Sequence, residues 1–157
     1  MNTFNQKGFT LLEVLVAIVI VSIGLLAVAG MQTTAITANA SAKDATIAIQ
    51  LAEEMVDRIR VNAGDTPETY HGLDTNGGTA TTCTGLTAQN DPTLGDCIQW
   101  RSRLQDASLG LSNAIGTVTV TKDSPISKTA TITVTVTWGA ITARTVKFIT
   151  IMETWLT

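Results

Sequence analysis

Histidine occurs once in this 157-residue sequence, as His71, and cysteine twice, as Cys83 and Cys97. One histidine and two cysteines are too few ligands for a four-coordinate zinc site, so no metal is expected. No Gly-x-Ser-x-Gly elbow occurs, and His71 stands alone as a general base. The carboxylates fall where a solvated helix face or a turn would put them. The expectation is therefore no catalytic residues, no cofactor and no enzyme, with a membrane-anchored periplasmic enzyme as the weaker alternative. Basic runs are also missing: ten basic and thirteen acidic residues give a net charge of −3. Phosphate binding needs a concentrated basic footprint, so nucleic acid is not expected as a partner. Proline is absent between Phe9 and Asn62, so nothing in that span forbids a single helix.

What is present begins with an apolar run. Met1 to Lys7 is short and polar and ends in a cation, and from Gly8 to Ala42 the only charge is Glu13. Val14 to Met31 is interrupted only by Ser22, Gly24 and Gly30, and about 18–20 such residues suffice to cross a bilayer as a helix. Lys7 on the N-terminal side favours a cytoplasmic start and an exported remainder. Three readings compete. A cleavable signal peptide would use Ala27-Val28-Ala29 before Gly30 as its cleavage site. A plain signal anchor would hold an unrelated head. The third is a class III signal, cut on the cytoplasmic side before the apolar run.

Glu13 separates them. A carboxylate in mid-membrane costs roughly 2.5–3.5 kcal/mol on insertion scales and needs a partner. A signal peptide's apolar core gains nothing from it, whereas a helix bundle gains registry against a neighbour's cation. Gly8-Phe9-Thr10-Leu11-Leu12-Glu13-Val14 closely resembles the signature of type IV prepilins. That resemblance implies cleavage between Gly8 and Phe9 by prepilin peptidase, N-methylation of Phe9, and docking of Glu13 against a neighbour's terminal amine.

Helical patterning continues past the apolar run. Ile47, Leu51, Met55 and Ile59 recur every fourth residue beside Ala48 and Ala52, giving one apolar stripe. Glu54 and Arg58 form a favourable i,i+4 pair on another face. Gly64 and Pro67 provide the stop. One helix from Phe9 to Asn62 would be about 80 Å long, with Gly24 and Gly30 its easiest places to bend. From Gly64 to about Gly95 the composition turns to Thr, Gly, Asn and Asp, which reads as an ordered loop. In an exported head Cys83 and Cys97 would close it as a disulfide, with two free thiols as the alternative. Asp74-Thr75-Asn76-Gly77 resembles the start of a calcium loop, but later ligand positions are missing, so a turn is expected.

Ile98 to Leu109 is expected as a short helix with Trp100 and Leu104 in the core. Strands are expected over Gly116–Thr121, Thr129–Trp138 and Ile141–Met152. The second alternates cleanly between Ile132, Val134, Val136, Trp138 and threonines. Lys122-Asp123-Ser124-Pro125 marks one turn, and Gly139-Ala140 suits a two-residue type II′ turn. An antiparallel meander with one apolar face needs a cover, which the Ile47–Ile59 stripe supplies.

A long N-terminal helix, a loop and an antiparallel sheet form the α+β layout of type IV pilins. Glu13 to Ala17, Ser22 to Leu26, Leu51 to Met55 with Asp57 to Arg60, and Val134 to Trp138 most resemble the PilV group of minor pilins. The resemblance implies residues 1–8 as leader, 9–31 as transmembrane and filament-core helix, 32–63 as amphipathic helix, and 64–157 as globular head. It implies a minor pilin held in the inner membrane with its head in the periplasm, then carried into a pilus. Its implied partners are prepilin peptidase, other minor pilins, the major pilin and a tip adhesin; its implied role is priming assembly near the tip. A minor pseudopilin of a type II secretion system shares the same signal and scaffold, and a subunit of a DNA-uptake pseudopilus is a further alternative.

Overall fold

The proline-free stretch forms one helix, α1, over Leu11–Asn62. The structure, a computed structural model, describes residues 8–64, 66–76, 83, 92–122 and 128–153. The leader through Lys7, Gly77, most of the threonine-rich loop and the Asp123-Ser124-Pro125 turn lie outside the described residues. The chain divides into two units, Met1–Ala42 and Lys43–Thr157, with α1 contributing to both. In the first unit α1 buries nothing. In the second, Ala48, Leu51, Ala52, Met55, Val56 and Ile59 are buried. Ile47 lies at the stripe's margin, half-buried, and Val56 replaces it as a core residue.

Further along come a 3₁₀ turn at Pro67–Tyr70, helix α2 at Pro92–Leu104, a 3₁₀ turn at Ala107–Leu109, and strands β1 at Ile115–Lys122, β2 at Thr129–Trp138 and β3 at Arg144–Glu153. The strands form an antiparallel sheet in the order β1-β2-β3. The layout is α+β and matches the pilin fold expected from the sequence. Ala130, Ile132, Val134, Val136 and Trp138 are buried along β2 while the intervening threonines face away. These side chains, the α1 stripe and α2's Leu94, Cys97, Trp100 and Leu104 make one core. Trp100 is fully buried and its Nε1 donates to Leu51 O at 2.8 Å, which ties α2 to α1.

Two expectations change. The short helix is α2, starting six residues earlier than Ile98 and ending at Leu104. Proline suits a first helical position, and Leu94, Cys97, Trp100 and Leu104 complete a single face that the Gly95-containing loop composition concealed. Leu109 belongs to the following 3₁₀ turn, where Ser108 N donates to Asp106 Oδ1 at 2.9 Å. Hydrogen bonds from the Ser108 side chain and backbone hold the Asp106 carboxyl below its ordinary range.

The other change is the β2–β3 turn. Trp138 pairs with Arg144, so five residues, Gly139 to Ala143, connect the strands. A two-residue turn would pair Trp138 with Ile141 and set Val146 and Phe148 opposite threonines, because a shift of odd length reverses the faces. The observed register sets Val146 opposite Val136 and Phe148 opposite Val134, on the core side. Burial of those two side chains therefore decides the turn length.

Cys83 and Cys97 are bonded, with Cα atoms 6.3 Å apart. The bond fixes the loop to the first turns of α2, where Cys97 is fully buried. Closing a loop of roughly fifteen residues contributes about 3 kcal/mol in the chain-entropy model. A Cys83→Ser/Cys97→Ser variant should lose about that much stability, read as a lower urea midpoint. Equal midpoints with and without the bond would show that the loop contributes nothing to the folded head.

Candidate functional site

The N-terminal segment is the first place to look, since it carries the sequence's most specific pattern. α1 starts directly after Thr10, which acts as its N-cap: Glu13 N donates to Thr10 O at 3.0 Å and to Thr10 Oγ1 at 3.3 Å. Thr10-Leu11-Leu12-Glu13 thus fits the Thr-x-x-Glu start pattern of a helix, with a local capping role shown for Thr10 that the signature match had hidden. Gly8 and Phe9 precede the helix, and Phe9 is 83% exposed. A Cβ at Gly8 would meet nothing within 4 Å, so no packing within the fold accounts for glycine there. Glu13 sits in the first helical turn and shares a face with Phe9, Ala17, Ile18 and Val21.

From Phe9 to Ile36 the large apolar side chains all lie open. α1 contains an 18-residue window apolar enough to cross a membrane, none of it buried. Single folded subunits rarely expose contiguous apolar patches beyond a few hundred Å², so this surface needs lipid or other helices around it. Ser22 meets its own polar need by donating to Ile18 O at 2.7 Å, as do Thr33, Thr34 and Thr37 to carbonyls three or four residues earlier. Glu13 is then the one charge on this surface from Gly8 to Ala42.

Residues 3–29 carry a prokaryotic N-terminal methylation motif. The motif is the type IV pilin-like prepilin signal, and it contains Gly8, Phe9 and Glu13. No curated protein and no solved structure matches the chain. The motif supports a type IV pilin-like substrate of a prepilin peptidase, and the α+β layout is that of the pilin fold.

The head holds a second polar cluster, and here sequence reasoning missed its centre. Asp96 was expected on a solvated turn or helix face; it is buried instead, 6% exposed. It accepts from Tyr70 Oη at 2.5 Å, Asn62 Nδ2 at 2.7 Å and Arg58 Nη1 at 3.2 Å. Arg58 also donates to Gln99 Oε1 at 2.8 Å and pairs with Glu54 at 2.9 Å, the expected i,i+4 partner. Burial alone would lower the Arg58 pKa, but the hydrogen bonds and charges of Glu54 and Asp96 outweigh it and raise it. A raised basic pKa means the contribution is present at all pH values below the ordinary arginine range and lost only above it. The available signal was that Thr93, Asp96, Trp100 and Leu104 share one helical face.

The cluster joins α1, the Pro67–Tyr70 turn and α2, so its work is structural. Among the described residues no group of three or more potential metal ligands occurs. Asp96→Ala would remove the acceptor shared by the Tyr70 hydroxyl, the Asn62 amide and the Arg58 guanidinium inside the head, at a cost of about 3 kcal/mol. Tyr70→Phe removes one donor without emptying the site and should cost about 1 kcal/mol. Denaturant midpoints compare the two; equal losses would mean that Asp96 is not the hub. His71 Nδ1 accepts from Val120 N at 3.1 Å, which commits that nitrogen to the sheet edge.

Proposed function

We propose that this chain is a minor pilin of the PilV kind, processed by prepilin peptidase and built into a type IV pilus. Residues 1–8 are the leader, 9–31 the membrane and filament-core segment, 32–63 the helix that reaches into the head, and 64–157 the head. The peptidase cuts between Gly8 and Phe9, and the new amine on Phe9 is methylated. Glu13 pairs with the terminal amine of a neighbouring subunit. Before assembly the protein is a single-pass inner-membrane protein with a periplasmic head; afterwards it sits in the pilus near its tip. There it helps prime assembly together with other minor pilins and the major pilin, and it supports presentation of a tip adhesin and twitching.

One observation carries this proposal. A prepilin motif opens a helix whose apolar surface is uncovered and bears one carboxylate, five residues into the chain that cleavage would leave. A buried charge in such a surface finds its best partner in a cation delivered by the same kind of surface. A disulfide-closed head suits an oxidising compartment.

Intact mass of the chain recovered from membranes of cells with an active prepilin peptidase tests the reading. The expected mass begins at Phe9, carries one methyl group and lacks two hydrogens for Cys83–Cys97. Gly8→Leu should leave the full-length precursor instead. A mass beginning at Gly30 would make the chain an ordinary secreted protein, and a full-length mass from the unsubstituted chain would make it a plain anchor. Deletion then separates filament types: loss of type II secretion with pili intact would assign the chain to a pseudopilus.

A further inference from the structure

The two edges of the sheet differ in what lies beside them. Along β1 the preceding chain fills the edge. Val118 O accepts from Gly72 N at 3.1 Å, Val118 N donates to Leu73 O at 2.9 Å, and Thr75 N donates to Gly116 O at 3.0 Å. Gly116 N donates to Thr75 Oγ1 at 2.8 Å, and Val120 N to His71 Nδ1 at 3.1 Å. Along β3, among the described residues, backbone bonds run only to β2. A row of unpaired N–H and C=O groups is a template for another strand.

The residues of β3 specify that strand. On the face turned from the core, every position of β2 from Thr129 to Thr137 is threonine, whereas β3 carries Lys147, Ile149, Ile151 and Glu153 beside them. Threonine suits an edge left in water. Two isoleucines, 62% and 66% exposed, in the middle of the open edge do not. Among the described residues neither Lys147 nor Glu153 forms an ion pair. An antiparallel strand on this edge needs a basic residue opposite Glu153, apolar residues opposite Ile151 and Ile149, and an acidic residue opposite Lys147. Read from N to C, that order is basic-x-apolar-x-apolar-x-acidic. The segment Lys147-Phe148-Ile149-Thr150-Ile151-Met152-Glu153 has this order itself.

We propose that β3 pairs with β3 of a second copy of this chain, antiparallel and in register about Thr150. The occupant is chosen by charge complementarity: the edge is its own complement. Lys147 lies opposite the second copy's Glu153, and Ile149 opposite its Ile151, with the reciprocal pairs across the axis. On the core side Phe148 lies opposite Met152, and Thr150 meets its own copy. Each pair joins positions of equal parity, so the core sides stay aligned and the free backbone groups of the two strands face each other. Val146, Phe148 and Met152 already pack on the core, so they need no rearrangement. Arg60 Nη2, which donates to Thr150 Oγ1 at 3.1 Å, is near the axis, and Asp57 lies 3.3 Å from Arg60 to offset its charge. Like charges directly opposite are unfavourable, so Lys147 and Glu153 also turn away strands of another order. With the β1 edge filled, pairing closes at two copies and does not propagate.

The contact lies wholly within the Lys43–Thr157 unit. The test uses the full chain in detergent micelles, in two differently tagged forms that are mixed and then captured by one tag. Hydrogen exchange at alternate amides of β3 should slow as the chain is concentrated from about 1 μM to about 300 μM. Lys147→Glu, at an exposed position, should weaken its self-association about tenfold, since it sets two carboxylates opposite two others. Glu153→Lys should do the same with ammonium groups. A mixture of the two variants restores both ion pairs, so capture of one by the other should return to the parent level. Association through the apolar part of α1 would be the same in every combination and would leave β3 unprotected; that pattern would overturn the proposal. Failure of the mixed variants to recover would overturn it too, as would an edge that stays open at every concentration, the result expected if its occupant is a different polypeptide. None of these readouts depends on processing at Gly8, so this proposal and the pilin reading fail separately.

Discussion

Gly116→Val is expected to cost the head about 3–5 kcal/mol, although valine is the better strand residue. Gly116 is buried in β1 directly beneath Trp100. A Cβ there would fall within the Trp100 ring and only 2.8 Å from Leu104 Cδ1, where no rotamer change of valine relieves the overlap. The indole cannot yield cheaply either, because its Nε1 is committed to Leu51 O. Expelling it forfeits a fully buried tryptophan, and large aromatics in cores contribute on that scale. Domains of this size have about 5–15 kcal/mol in total, so the variant would approach the unfolding threshold. A double-mutant cycle with Trp100→Leu checks the cause. Leucine vacates the space, so the double variant should be more stable than the sum of the two losses by about 1–3 kcal/mol. Strict additivity would mean that Trp100 does not set the requirement for glycine.

Glu13→Val should act in the opposite place and by the opposite logic. It removes the only charge from an apolar surface, so the chain should enter membranes as well as the parent or better. Incorporation into sheared filaments should nevertheless fall about a hundredfold, because the partner amine would be left unpaired among apolar helices. The ratio of filament to membrane signal on immunoblots measures it. Glu13→Gln separates two roles, since glutamine keeps the Thr-x-x-Glu/Gln helix start but not the charge. If Glu13→Gln is incorporated like the parent, the carboxylate acts through capping and the ion pair is wrong.

The legible parts of this protein are those written in local periodicity. The α1 stripe, the alternation along β2 and the stop before Gly64 each depend on neighbours within a few residues. The disulfide was legible because only two cysteines exist, although the loop composition did not show that Cys97 lies within α2. Less legible was anything decided by which distant surfaces meet. Asp96 looks like one more polar loop residue, and its burial depends on Tyr70, Asn62 and Arg58 converging from two other elements. α2 was misplaced because Gly95 and Asp96 read as loop until Leu94 and Cys97 are known to share a face with Trp100. The β2–β3 turn was misjudged because glycine at position 139 permits a tight turn, but the core's demand for Val146 and Phe148 selects a longer one.

By itself the sequence determined the motif at the N-terminus, the long helix, the meander and which β2 face turns inward. Each is a property of the chain's own period or of residues in direct succession, and needs no partner to be specified. Tertiary structure alone decided the buried Asp96 cluster, the requirement for glycine at Gly116, the register of β3 and the difference between the two sheet edges. Those depend on close packing and on the pairing of polar groups across elements, and packing density leaves room for only one arrangement. The chain encodes its segments locally, but the constraint that fits them together appears only when they share one core.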